Sequence, residues 1–307
     1  MSVKTATDQP MTAVSVGAAD ATRLAHHTFP SYRPHLAKIG PGTPHFAHAL
    51  WVGERVAGLI LGEIEGTTAR LLSVSVSKDE RRKGGGRTLI TAFETEARRR
   101  GCRSATVQFT VPSGKAAPIA SLLRASAWPD PTLFSIIYTM TSAESVAAPW
   151  FVKAQRRMTD LNIQALSDAS TTTINALKAI DWAPDELRPT AHMPTGPDGA
   201  ALYPEASAVL LGPPDAGEGD VRGYILIHRA GAMGARVSAG WMRPGTYHGF
   251  AYGALIAHAN RRIVGDGLPG ASFVVRAHDR PMALFAKRYI APLVGDIRDC
   301  FDCTKSL

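Results

Sequence analysis

The chain alternates between two periods. Short runs in which apolar and polar residues alternate mark strands with one buried face. Between them apolar residues recur every three or four positions, which marks helices. The clearest strand covers 69–76, Ala-Arg-Leu-Leu-Ser-Val-Ser-Val, with Leu72, Val74 and Val76 expected on one face and Ser73 and Ser75 on the other. Strands are also predicted over 12–16, 45–53, 55–66, 104–110 and 133–140, and Gly53-Glu54 predicts a hairpin turn. Helices are predicted over 19–29, from Arg87 to a stop at Gly101, and over 114–128, where Pro118 interrupts the start. In the second of these Leu89, Phe93 and Ala97 share a face.

The pattern pauses over 147–155 and then starts again. A strand over 160–166 leads to a helix over 167–180, with Ser167 or Asp168 as its N-cap. Strands follow over 204–212, 222–231 and 234–242, then a helix over 246–267, a strand over 271–278, a helix over 281–291 and a strand over 296–303. The order of elements is the same in both halves without visible identity between them. The fold class this predicts is α+β, in two domains, 1–146 and 147–307, each a mostly antiparallel twisted sheet flanked by helices. Segments 190–199 and 212–219 are loops by composition.

Composition narrows the class. An apolar fraction of 45% and a charged fraction of 20% belong to a globular protein with a sizeable core. No apolar run is long enough to cross a bilayer, and the first ten residues lack the apolar stretch of a signal peptide, so no membrane is expected and the location expected is cytoplasmic. Three cysteines do not make a disulfide framework. Cys300 and Cys303 form a lone C-x-x-C with only Cys102 left over, which is short of a four-thiolate zinc site, so no metal is expected. The net charge of +8 is uneven: residues 1–150 hold 17 Lys/Arg against 11 Asp/Glu, and the remainder 17 against 15. The first half is therefore where an anionic partner would bind.

One stretch there concentrates both glycine and positive charge: Asp-Glu-Arg-Arg-Lys-Gly-Gly-Gly-Arg-Thr-Leu-Ile, 79–90. A strand, a glycine turn and a helix start together make a phosphate site. The first amides of a helix lack partners, and the macrodipole puts partial positive charge on them. Glycines let the backbone approach the anion, and Arg81, Arg82, Lys83 and Arg87 can add charge-assisted contacts. The stretch matches neither the P-loop nor the dinucleotide fingerprint. It does read R-x-x-G-x-G, as Arg81-Arg82-Lys83-Gly84-Gly85-Gly86.

With the strand before it and the amphipathic helix to Gly101-Cys102 after it, the segment from Leu71 to Cys102 resembles the acyl-CoA-binding core of the GNAT acyltransferases, and the resemblance extends over about 13–140. The resemblance implies that backbone amides of Arg82 through Thr88, including Gly84, Gly85, Gly86, Arg87 and Thr88, hold the CoA pyrophosphate. It implies too that the preceding strand splays from its neighbour, leaving peptide groups near Val74 and Val76 for the pantetheine arm.

The family's chemistry is direct attack of an amine on a thioester, with a base for the ammonium proton and often an acid for the leaving thiolate. The residue at the position of the family's frequent tyrosine is Leu123, four before Ala127-Trp128, and it cannot donate a proton. Glu63 and Glu65 are the nearest candidate bases, and Glu63 is preferred. In the second half the corresponding turn reads Arg-Pro-Gly-Thr-Tyr-His-Gly, without the basic run, so the resemblance implies that 147–307 is a degenerate GNAT-like domain that shapes the acceptor site. His248, His258 and His278 are too far apart in sequence to form a ligand set, and Tyr247, Tyr252 and Trp241 are expected to pack. The resemblance thus implies transfer of an acyl group, an acetyl above all, from acyl-CoA to an amine of a small molecule. Two alternatives stay open. The arginines at 98–100, 103 and 156–157 could carry tRNA phosphates in an aminoacyl transfer from aminoacyl-tRNA. A CoA- or metabolite-binding regulator without catalysis is the other. The sequence leaves oligomeric state open.

Overall fold

The structure is a computed structural model, and it describes residues 10–115, 117–196, 199–231, 234–246 and 251–307, without the side chains of Arg157 and Pro281. The chain forms two compact units, 1–134 with 300–307, and 135–299.

The first unit begins with β1 (Met11–Ser15), α1 (Ala18–Ala21) and α2 (Arg33–Leu36), then β2 (His45–Val52), β3 (Arg55–Glu65) and β4 (Thr68–Val76). Next come α3 (Gly85–Arg99), β5 (Ser104–Pro112) and α4 (Pro118–Ala125). β1 to β4 pair antiparallel in order, and β5 runs parallel to β4. The turn between β2 and β3 is Gly53-Glu54, as expected, with Gly53 at φ 58. The helix expected over 19–29 is only the single turn of α1 followed by 3-10 turns. The His27 carbonyl is turned to accept from the Ser75 hydroxyl of β4, and Pro30, with no amide to donate back to His26, cannot extend the helix.

Two apolar cores cover the two faces of this sheet. On one, Leu89, Ile90, Phe93 and Ala97 of α3 pack with Phe46, Leu50, Ile60, Leu71 and Leu123. Phe93 stacks on Phe46 with ring centres 5.4 Å apart, and a side chain at Gly62 would strike both rings at 2.6 Å. Burying each such ring contributes about 1.5–3 kcal/mol. On the other face Leu24, Leu36, Leu59 and Leu61 form a second core beneath α2.

β6 (Thr132–Thr141) leaves the first unit between Phe134 and Ser135. The second unit continues with α5 (Ser142–Ala147), α6 (Pro149–Met158), β7 (Ile163–Ala165), α7 (Thr171–Lys178), β8 (Ala208–Leu211), β9 (Val221–Arg229) and β10 (Ala235–Met242). It closes with α8 (Ala251–Gly265), β11 (Gly270–Arg276), α9 (Arg280–Tyr289) and the start of β12 (Asp296–Ser306). β7 to β10 pair antiparallel in order, β11 is parallel to β10, and β6 lies antiparallel to β11. The expected pause at 147–155 is two helices instead. Thr141 and Glu144 cap α5 reciprocally, and Pro149 begins α6. α7 starts later than expected, because Ser170 rather than Ser167 or Asp168 accepts from the Thr173 amide.

β12 re-enters the first unit between Asp299 and Cys300. There Phe301 stacks on Phe109, the Cys303 thiol donates to the Pro129 carbonyl, and the Lys305 ammonium lies 2.7 Å from Glu94 Oε1. The sequence-based division put one cut at 146/147. The compact units have crossings at 134/135 and 299/300. The three cysteines are free.

Candidate functional site

The stretch 79–90 joins β4 to α3, and β4 opens before reaching it. Parallel pairing with β5 runs from Thr68↔Ser104 to Leu71↔Val107 and stops. At the same point the antiparallel register with β3 jumps from Gly62↔Leu71 to Leu61↔Ser73, so Leu72 is an extra, bulged residue. A bulge bends its strand and increases twist, which carries β4 away from β5. It also corrects the expected faces: Leu71, Val74 and Val76 pack with the α3 core, whereas Leu72 packs with the opposite one. The Ser77 amide donates to the Ala57 carbonyl, so the alternation turns the peptide groups of Val74 and Val76 away from β3, toward the opened side. Arg81 Nε donates to the Val76 carbonyl at 2.9 Å, and the Val76 amide and both Val74 groups have no partner among the described residues.

Each of the three glycines in the turn meets a different demand. Gly84, the N-cap of α3, has φ 95, where a Cβ is disfavoured. A Cβ at Gly85 would meet Leu50 Cδ2 at 2.5 Å, and one at Gly86 would meet Leu122 Cδ1 at 3.0 Å. Arg82 is itself left-handed, at φ 66. The main-chain amides of Arg82, Lys83, Gly84, Gly85, Gly86 and Arg87 bond no acceptor among the described residues. The Thr88 amide, expected to belong with them, instead donates to the Gly84 carbonyl and closes the first helical turn. The side chains divide as well. Buried Glu80 pairs with Lys83 at 3.2 Å and Arg55 at 2.6 Å, whereas exposed Arg82 and Arg87 have no ion pair among the described residues. Six amides and two unpaired guanidiniums in one turn can hold a diphosphate.

Glu63 lies on β3 opposite Arg70, one register step beyond Gly62↔Leu71 and the bulge. Its Oε1 is 3.3 Å from His45 Nε2, and its Oε2 is 3.5 Å from Arg70. His45 Nε2 is also 2.9 Å from Nδ1 of His35 on α2. Burial pushes the His45 imidazole below its ordinary pKa against the opposing pull of Glu63, so it is neutral at neutral pH. Exposed Glu65 lies farther along the strand, 3.6 Å from Arg70. Phe29, Tyr32 and His35 follow one another edge to face toward His45. Sequence reasoning missed His35, His45 and Arg70, because no local spacing links them. The bulge did leave a signal, the adjacent pair Leu71-Leu72 in an otherwise alternating strand.

Leu123 is fully buried in the α3 core, out of reach of any leaving group. The arginines that end α3 are engaged. Arg98 pairs with Glu94, and Arg99 and Arg100 both pair with Glu96 at 2.7 Å. These contacts, the Arg99 hydrogen bond foremost, pull the Glu96 carboxyl down to about 2.

The second unit repeats the bulge, and its turn runs on into 247–250, outside the described residues. Parallel pairing of β10 with β11 ends at Val237↔Phe273, and Ser238 is the bulged residue. A Cβ at Gly240 beyond it would meet the Tyr252 hydroxyl at 2.5 Å, so this phenol lies over the opened strand. Arg222 and Arg243 both pair with Asp220, at 2.9 and 2.7 Å. Tyr247 and His248 lie outside the described residues. Trp241 packs in the core beside β9, His258 is held below its ordinary pKa by burial, and exposed His278 lies 3.7 Å from Glu186.

Residues 19–118 match the family described as Acetyltransferase (GNAT). Two solved structures align over nearly the whole chain. A tandem GNAT protein from the clavulanic acid biosynthesis pathway is 16% identical, with 97% of this chain and 98% of that one covered and a TM-score of 0.54. A GCN5-related N-acetyltransferase from Sphaerobacter thermophilus is also 16% identical, with 95% of each chain covered and a TM-score of 0.56. No curated protein matches the sequence. No described helix is long and apolar enough to cross a membrane.

Proposed function

The chain carries a GNAT domain in its first half within a tandem GNAT fold, and on that premise we propose that the first unit binds acyl-CoA, acetyl-CoA above all, and passes the acyl group to an amine of a small molecule. The observation that supports this most is the row of six unbonded amides, Arg82 to Arg87, at the head of α3, flanked by the unpaired Arg82 and Arg87 side chains. They suit the CoA diphosphate in number and charge. The open peptide edge at Val74 and Val76 leads from that turn to the bulge and suits the amides of the pantetheine arm.

When bound, the thioester supplies an acyl carbon that a neutral amine attacks, with CoA leaving as the thiol. Glu63 is the carboxylate we assign to accept the amine proton, because it stands one register step past the bulge. Leu123 gives the leaving group no acid, so its proton comes from solvent. The second unit, where Arg243 of the turn and Arg222 of β9 both pair with Asp220, takes no part in donor binding on this reading.

The test is calorimetric titration of acetyl-CoA into the wild type and Gly84→Val. A Cβ at Gly84 meets nothing within 4 Å, so the substitution acts chiefly on the backbone at φ 95. We expect affinity to fall on the order of 100-fold, from backbone strain and lost charge-assisted amide bonds. Unchanged affinity in a folded variant, or no binding to the wild type, would remove the assignment.

A further inference from the structure

We propose that His35, His45 and Glu63 form a binding site for a divalent transition-metal cation of the zinc class. The site stands on these three side chains and does not depend on the acyl-transfer reading. Three elements bring them together: α2 supplies His35, the first residue of β2 is His45, and β3 places Glu63 opposite it in register. Their donor atoms all lie within 4.8 Å of one another. His45 Nε2 is 2.9 Å from His35 Nδ1 and 3.3 Å from Glu63 Oε1. Ligands bonded tetrahedrally to zinc at about 2.0–2.1 Å lie about 3.3 Å apart, which the His45–Glu63 separation matches and the His45–His35 separation approaches.

Hydrogen bonding alone serves the cluster poorly. An imidazole nitrogen has one in-plane orbital, so His45 Nε2 either donates once or accepts once. It faces two partners. If it accepts from His35, its lone pair confronts a carboxylate; if it donates, one proton is divided between Glu63 and His35. The His45 side chain is only 7% exposed, so water offers it little relief. Its Nδ1 also has no hydrogen-bond partner among the described residues. A cation accepts all three lone pairs at once. Two nitrogens and one carboxylate oxygen are a donor set that zinc takes, and three protein ligands leave a fourth position open. Arg70 holds the other carboxylate oxygen, Oε2, and so points Oε1 at the histidines, the outer support that ligating carboxylates usually have. If Glu63 is also the proton acceptor, cation and proton compete for the same oxygen, and the metal should slow transfer.

The experiment uses the full chain, stripped with chelator and titrated with zinc chloride by calorimetry, with cobalt(II) absorption as a report of coordination geometry. We expect one cation per chain and a tetrahedral cobalt spectrum. His35→Gln and Glu63→Gln should each weaken binding more than tenfold while circular dichroism stays at the wild-type form. His45 is buried, so histidine-ring nitrogen spectra of the unaltered protein serve in place of its substitution. Zinc should shift one nitrogen each of His35 and His45. Absence of binding, ring resonances that do not move, or affinity that survives in folded His35→Gln and Glu63→Gln would overturn the site.

Discussion

The passages from β4 to α3 and from β10 to α8 start alike and end differently. In each, an extra residue bulges the strand where its parallel pairing stops, Leu72 in one and Ser238 in the other. Beyond that point, among the described residues, the first passage keeps six amides without acceptors and two arginines without counter-charges. In the second, Asp220 takes both nearby arginines and the Tyr252 phenol covers the strand at Gly240. In both passages the bulge coincides with the end of parallel pairing. The anion site depends on unmet charge as well as on amides, and in the second passage one aspartate engages both nearby arginines.

The largest effect should come from a matched pair of glycines. Gly84 and Gly245 both have positive φ, 95 and 82, and both would place a Cβ in open space. Gly84→Val should lower acetyl-CoA affinity on the order of 100-fold, whereas Gly245→Val should leave it unchanged, both read by calorimetry. Equal losses would mean that the second turn also serves the ligand.

A smaller contrast lies in the arginines. Arg82→Ala and Arg87→Ala should each weaken acetyl-CoA binding about tenfold and flatten its dependence on salt. Arg243→Ala should leave binding intact and instead lower the melting temperature, since it takes a partner from Asp220, whose carboxylate is 17% exposed.

The smallest effect is at the far end of α3. Glu96 is held at about 2 by Arg99 and Arg100, below its unfolded value. A depressed carboxyl stabilises above its unfolded pKa, and that contribution is lost as pH falls through the folded value. Glu96→Gln should therefore lower the melting temperature by about 1–2 °C near neutrality, with the difference shrinking between about pH 5 and 2. A constant difference across that range would place the effect outside the carboxylate.

Much of the first passage was legible because its signals are local. The glycines, the basic run and the helical spacing of Leu89, Phe93 and Ala97 sit within twenty residues and suffice to predict strand, turn and helix. The bulge was half visible: Leu71-Leu72 broke the alternation, but only the register shows which of the two is extra. The cluster of His35, His45 and Glu63 was not legible, since it arises from the β2–β3 register and the seating of α2. Nor was the failure of the 19–29 helix, in which the His27 carbonyl turns to the Ser75 hydroxyl of β4. In each case a long-range contact outweighed a local preference.

The last eight residues of the chain have a consequence for how it is made. Phe301, Cys303 and Lys305 lie in the first unit, and β12 is the neighbour of β5 in its sheet. On the ribosome, β5 must wait through roughly 190 further residues for that partner, some ten to forty seconds at ordinary rates of synthesis. Throughout that interval it presents an unprotected sheet edge, so a chain stalled short of Cys300 should be far more prone to aggregate than its length alone suggests.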